Sequence, residues 1–210
     1  MATPWRLTGA ALALCFASAA LAQKGDFEAG KAEDYSARQS QAGVTIAVAS
    51  FQDPDEAEKV FPKAEPHKHG VLPVLVVITN NGEAPIALED FQVRYTPRGR
   101  DGVEPIPSDE LIYFNPEGHQ PRERPRYIPN VPGLGGPKVK KGPLSRPEIT
   151  ERTFRAPVVA PGDTASGFFF YDLGGEGAPS PGATIYLSGL RNMQTNQELF
   201  YFEIPLEGSR

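Results

Sequence analysis

The chain has 210 residues, 40% of them hydrophobic, and its 26 acidic residues against 21 basic ones give a formal net charge of −5. That length suits one domain whose core holds the fold unaided. The mildly acidic balance excludes nucleic acid as the expected partner, because phosphate binding runs on clustered Lys and Arg.

The chain opens on Met1-Ala-Thr-Pro-Trp-Arg6, continues as an apolar Ala- and Leu-rich run over 7–21, and reaches Ala20-Leu21-Ala22 before Gln23. One positive charge, a short apolar stretch and small residues at the A-x-A positions specify a signal peptide over 1–22, cleaved after Ala22. The run is shorter than the roughly 20 apolar residues that cross a bilayer, so no transmembrane anchor remains after cleavage and the protein is expected in the periplasm or secreted. Leu14 precedes Cys15 where a lipoprotein needs a small residue. Trp5 and Cys15, the only Trp and Cys, leave with the leader. An exported domain then stands without a disulfide.

Residues 23–43 are polar and mixed in charge, with Phe27 and Tyr35 as the main apolar anchors; they read as a flexible tail. Alternation through Val44, Ile46 and Val48 predicts a first strand. Asp53-Pro54-Asp55-Glu56 predicts a short helix reaching Phe61, with Asp53 as N-cap and Pro54 at the first helical position. Residues 72–79 (LPVLVVIT) are apolar on both faces, rich in β-branched residues and followed by Asn80-Asn81-Gly82. They predict a central strand ending in a tight turn, with Ile86 and Leu88 starting its partner. Phe91, Val93 and Tyr95 alternate into a hairpin turned at 98–102 and returning through Val103 and Ile106, and Ser108-Asp109-Glu110 reads as a helical turn.

In the second half, Ala160-Pro161-Gly162-Asp163 carries Pro and Gly at the central positions of a type II turn. Gly167 through Tyr171 is apolar on both faces, and 185–190 with 199–204 form a last hairpin in which Phe200, Phe202 and Ile204 share a face. Seven or eight short strands separated by turn residues predict an all-β fold: a single antiparallel β-sandwich over 44–206 with a long insertion at 108–152.

Two motifs carry a resemblance. The strand VVIT followed by Asn80-Asn81-Gly82-Glu-Ala-Pro85, and the later Pro161-Gly162-Asp-Thr164-Ala-Ser-Gly167-Phe-Phe-Phe170, resemble the pattern of bacterial exported immunoglobulin-like domains of telokin-like topology. The resemblance spans roughly 44–205 and implies an immunoglobulin-like sandwich. Its motifs encode turns, so it implies architecture and no catalytic residue.

The chemical candidates are few. Between 121 and 147, prolines 121, 125, 129, 132, 137, 143 and 147 break up a locally basic stretch bearing Arg122, Arg124, Arg126, Lys138, Lys140, Lys141 and Arg146. Proline at this density excludes helix and central strand and favours an extended arm. Such an arm suits another envelope protein or an anionic envelope component, or is a solvated insertion. His67-Lys68-His69 has a metal-like spacing, since in an extended segment two His two apart face the same way; yet a structural site needs four ligands, and His119 is the only other histidine. Asp53 and Asp55 fit the helix cap better than half a calcium loop, given the Pro between them. No G-x-S-x-G, phosphate loop or H-E-x-x-H is present, and Ser166 and Ser188 fall in predicted strands. The expectation is therefore a non-enzymatic envelope interaction or assembly module with no cofactor. The alternative is a periplasmic metal or small-ligand carrier using His67 and His69.

Overall fold

A computed structural model of the chain describes residues 27–114, 141–173 and 182–206. In chain order the strands are β1 (Arg38–Gln41), β2 (Val44–Ser50), β3 (Val71–Asn80), β4 (Ile86–Ala87), β5 (Gln92–Thr96), β6 (Val158–Val159), β7 (Thr164–Asp172), β8 (Thr184–Ser188), β9 (Arg191–Asn192) and β10 (Phe202–Pro205). Short helices α1 (Pro54–Val60), α2 (Ser108–Leu111) and α3 (Pro147–Arg152) lie between them. Seven strands have four residues or more, in line with the seven or eight expected, and three are two-residue pairs. The strands form sheets β1-β2-β3-β7, β10-β8-β5 and β6-β4-β9, antiparallel throughout. The fold is an all-β sandwich.

Its centre is β3. β-branched residues dominate this strand, and all ten of its positions are buried. It pairs with β2 from Val44↔Asn80 to Ser50↔Val74 and with β7 from Val71↔Asp172 to Thr79↔Thr164. Leu72, Val74, Val76 and Ile78 pack with Val93, Tyr95, Ile185, Leu187, Phe202 and Ile204 of the facing sheet. On the other face Val71, Leu75 and Val77 pack with Phe61, Leu111, Leu144, Ile149, Phe168 and Phe170. The period-2 alternation of side chains thus serves two cores at once, and the larger sheet is a middle layer with the helices as its second cover. Pro73 is tolerated inside this strand because the Phe51 carbonyl just past the end of β2 takes its hydrogen bond from His67, while the Pro73 carbonyl still accepts from Phe51 N at 3.0 Å.

The helical cover begins as expected: Asp53 Oδ1 accepts from Asp55 N at 2.9 Å, with Pro54 opening α1. Phe61 meets Phe168 and Phe170 edge-on at 4.9 and 5.7 Å. α3 docks onto the end of α1 and the residues that follow it, through Lys63 N donating to Glu148 Oε1 at 2.9 Å, through Arg152 donating to the Val60 carbonyl, and through the Arg152 guanidinium lying 5.9 Å over the Phe61 ring.

Three sheet edges are covered. Phe154 N donates to Phe168 O at 3.2 Å and Ile106 N to Phe170 O at 2.7 Å along β7, while Val103 exchanges both backbone bonds with Tyr95 on β5. On β10, Glu203 N donates to Gln39 Oε1 at 2.9 Å and Pro205 offers no donor. Tyr171 Oη crosses between the sheets to Val93 O at 3.2 Å, and burial pushes this phenol far above its ordinary range.

Several sequence expectations need correction. The part of 23–43 that is described is not a tail. Ala32 is fully buried and donates its N–H to Thr79 Oγ1 at 3.0 Å, Phe27 sits 5.4 Å from Phe168, and β1 pairs along β2. Its polar sequence carries no alternation because it is a short edge strand. Ile86 does not begin a partner of β3: the chain leaves the large sheet after Asn80, and β4 pairs with β6 and β9. The return through Val103 is a single bridge to Tyr95 and not a strand. Both ends of the 108–152 insertion belong to the body, since Leu111, Leu144 and Ile149 are buried, and 141–147 is therefore anchored and no free arm. Phe202 and Ile204 face the core as expected, but Phe200, which precedes the strand, is 77% exposed.

Candidate interaction surface

The sheet β10-β8-β5 turns Val93, Tyr95, Ile185, Leu187, Phe202 and Ile204 inward, so the alternate positions form its outer face. At the centre of that face is Tyr186, opposite Arg94 on β5 and Glu203 on β10. Tyr201 stacks on Tyr186 with centroids 5.1 Å apart and ring planes 27° from parallel. Tyr201 is 53% exposed, and Phe200 beside it is the most exposed large hydrophobic residue described. Arg94 is held by Glu104, whose Oε1 accepts from Nε at 2.7 Å.

The local chain path explains this exposure. Leu199 N donates to Leu190 O at 2.7 Å, and Arg191 and Glu198 form a bridge, so 191–198 makes a small hairpin before β10 begins. Asn192 Oδ1 accepts from Gln194 N at 2.9 Å and from Thr195 N at 3.1 Å, and Asn196 takes the left-handed conformation that Asn tolerates. Phe200 and Tyr201 therefore enter β10 beyond the end of the core. Sequence alternation carried the buried face on to Phe200, which precedes the strand and is exposed; the signal that finds it is the dense aromatic run LFYF placed directly after a turn-rich loop.

The histidine pair is placed differently from the expectation. Residues Pro66–His69 form a 3-10 turn, in which positions two apart point about 240° around the axis from one another, so His67 and His69 diverge. His67 is half-buried with its Nε2 shielded from solvent and without a hydrogen-bond partner among the described residues, and its ring lines a small recess together with Gly70, Val71, Leu72 and Leu173. Burial lowers its pKa, opposed by the Asp53 charge and a hydrogen bond to the Phe51 carbonyl. Among the described residues no three His, Cys, Asp or Glu side chains are grouped to hold a metal ion. Of the basic residues of 121–147, Arg122, Arg124, Arg126, Lys138 and Lys140 lie outside the described residues, as does His119, while Lys141 and Arg146 are exposed. Ser166 and Ser188 lie in β7 and β8 as expected, opposite Val77 and Gln92.

The polar groups around the motif turns are spent on structure. Asn80, fully buried, donates from Nδ2 to Ala84 O at 2.9 Å and Val159 O at 3.0 Å, and its Oδ1 accepts from Gly82 N at 3.0 Å. Asn81 Nδ2 donates to Glu33 Oε1 at 2.6 Å, which holds that carboxyl below its ordinary pKa.

No family model matches the chain. It is 36% identical over 62 residues, 30% of its length, to the nonribosomal peptide synthetase sidC of Aspergillus fumigatus, and that match spans 1% of the synthetase. Among solved structures it is similar to the yjhA protein of Bacillus subtilis, at 11% identity and a TM-score of 0.42 over 81% of this chain and 96% of that one. It is also similar to ycdA of Bacillus subtilis, described as a candidate lipoprotein, at 12% identity and a TM-score of 0.35 over 80% of this chain and 38% of that one. No described helix is long and apolar enough to cross a membrane.

Proposed function

We propose that the chain is an exported, non-enzymatic interaction or assembly module of the cell envelope, with an immunoglobulin-like sandwich as its body. The observation that carries this reading is the adjacent pair Phe200 and Tyr201, exposed at 77% and 53%, with Tyr201 stacked on Tyr186 of the outer sheet face; Met193 of the preceding loop, at 54%, is the other large hydrophobic residue more than half exposed among the described residues. Large rigid aromatics supply most of the energy of a protein contact at little entropic cost, and the Arg94, Glu203 and Glu104 groups around Tyr186 supply a polar rim. The signal-like sequence of 1–22 supports export. The basic residues of 121–140 are a second element for a partner of acidic character.

The test is recovery of partners from the native envelope by the wild-type protein, by the Phe200→Ser/Tyr201→Ser double variant, and by a deletion confined to 121–140. Loss of a partner in the double variant, with unchanged thermal unfolding, supports the aromatic surface. Full recovery by both altered proteins at low salt refutes the interaction reading for these two elements.

A further inference from the structure

The turn joining β1 to β2 is two residues long, and both have positive φ, +49° at Ala42 and +79° at Gly43. This is the pairing that a hairpin turn of the primed type requires, and it selects Asn or Gly; an alanine Cβ is disfavoured there. Gly43 meets the requirement without strain and lies close against the Gly82 backbone, where an added Cβ would stand 3.0 Å away, so the strain of the turn rests on Ala42. We propose that this strained turn is a hinge, and that residues 27–41 exchange between two copies of the chain to form a strand-swapped dimer.

Opening the hinge to extended backbone relieves Ala42 and makes β1 and β2 one continuous strand, which carries the N-terminal segment away from its own body. The place it leaves is complementary to the same segment of a second copy by construction. Phe27 packs 6.0 Å from Phe51 and 5.4 Å from Phe168, Ala32 N reaches Thr79 Oγ1 at 3.0 Å, and Asn81 reaches Glu33 at 2.6 Å. Ser40 Oγ meets Thr45 Oγ1 at 2.9 Å, and Gln39 caps the Glu203 N–H at 2.9 Å, so one segment closes the edges of both sheets. Because these contacts are identical in the closed and exchanged forms, they cancel. What remains is hinge strain, which favours exchange, against the entropy lost on association and the bond from Asn81 N to Gly43 O, 2.7 Å long, that the closed turn makes. The balance therefore depends on protein concentration.

The test uses the Cys15→Ser chain carrying Ser40→Cys and Thr45→Cys, which stand directly opposite in the β1–β2 pair. After refolding at low and high protein concentration, a disulfide within the chain reports the closed form and one between chains reports exchange. We expect a dimer fraction that rises with refolding concentration and carries interchain bonds. Ala42→Gly should shift the monomer–dimer ratio toward monomer by about tenfold per hinge, and Ala42→Val should shift it toward dimer. Ala42→Pro, which cannot reach positive φ, should be dimeric; if it does not fold, the Val variant decides. Intrachain bonds alone at every concentration, in both the parent and Ala42→Val, overturn the proposal.

Discussion

Gly162 N donates to Asn80 O at 2.7 Å, and Asn80 N in turn donates to Asp163 O at 3.0 Å, so the two turn motifs, distant in sequence, are bonded to one another. Gly162 has φ +82° and Asp163 N closes back to Ala160 O at 3.1 Å, which is the type II turn expected from Pro161-Gly162. The Asn80 side chain then ties the following loop to Ala84 and to Val159 on β6.

Removal of this side chain should cost about 2–3 kcal/mol in Asn80→Ala, because two buried carbonyls and the Gly82 N–H lose their partner together. Asn80→Asp keeps the shape but faces an oxygen to both carbonyls, so it should be at least as destabilised at neutral pH and recover partly in acid. Urea unfolding of the three proteins at pH 7 and pH 5 reads both effects.

Gly167 should be intolerant for a reason of space. An added Cβ would stand 2.4 Å from Phe154 Cα, and the Phe154 backbone covers the edge of β7 through its bond to Phe168. Gly167→Ala should lose about 1–3 kcal/mol. Gly99→Ala meets open space and should lose only about 1 kcal/mol through its positive φ. Equal midpoints for the two variants in denaturant would contradict this ordering.

His67 gives a pH dependence of defined sign. Burial holds its folded pKa below the unfolded value of about 6.5, so between the two values the unfolded chain binds the proton and the folded chain does not. Stability from this group is full above about pH 6.5 and is lost as pH falls through the lower folded pKa. The melting temperature of the wild-type protein should therefore drop between pH 7 and 5 more than that of His67→Gln, and parallel curves would remove His67 as the cause.

Neighbouring aromatics of one run should behave oppositely. Phe202 is fully buried, and Phe202→Ala should cost about 3–5 kcal/mol, whereas Phe200→Ser should change stability by no more than about 0.5 kcal/mol. Equilibrium unfolding of both variants checks the boundary between core and surface at the start of β10.

Elements with a strong local signal were legible in the sequence: the α1 cap at Asp53-Pro54, the doubly apolar strands β3 and β7, and the hairpin of β8 with β10. Elements that depend on remote partners were not. β1 is polar because it lies at an edge, where Ser40 meets Thr45 and Gln39 meets the remote Glu203, while Ala32 ahead of it is held by the equally remote Thr79. α3 looked like part of a Pro-rich insertion because it packs on Val60 at the end of α1 and on Phe61 just after it, both remote in sequence. The exposed aromatic site was half legible: alternation found Phe202 and Ile204 but continued one step too far, to Phe200, where the core had already ended.

The doubly buried β3 also sets the timing of folding. Its far neighbour β7 is 85 residues away along the chain at the Thr79–Thr164 contact, so the newly made strand waits for most of the polypeptide before its second edge closes. During that wait it is an apolar, uncharged, β-prone stretch of the kind that adheres to sister molecules, with Pro73 as its one internal interruption. Productive folding therefore requires that nascent chains be kept apart until β7 has emerged, and the yield on renaturation from denaturant will fall as the chains are crowded together.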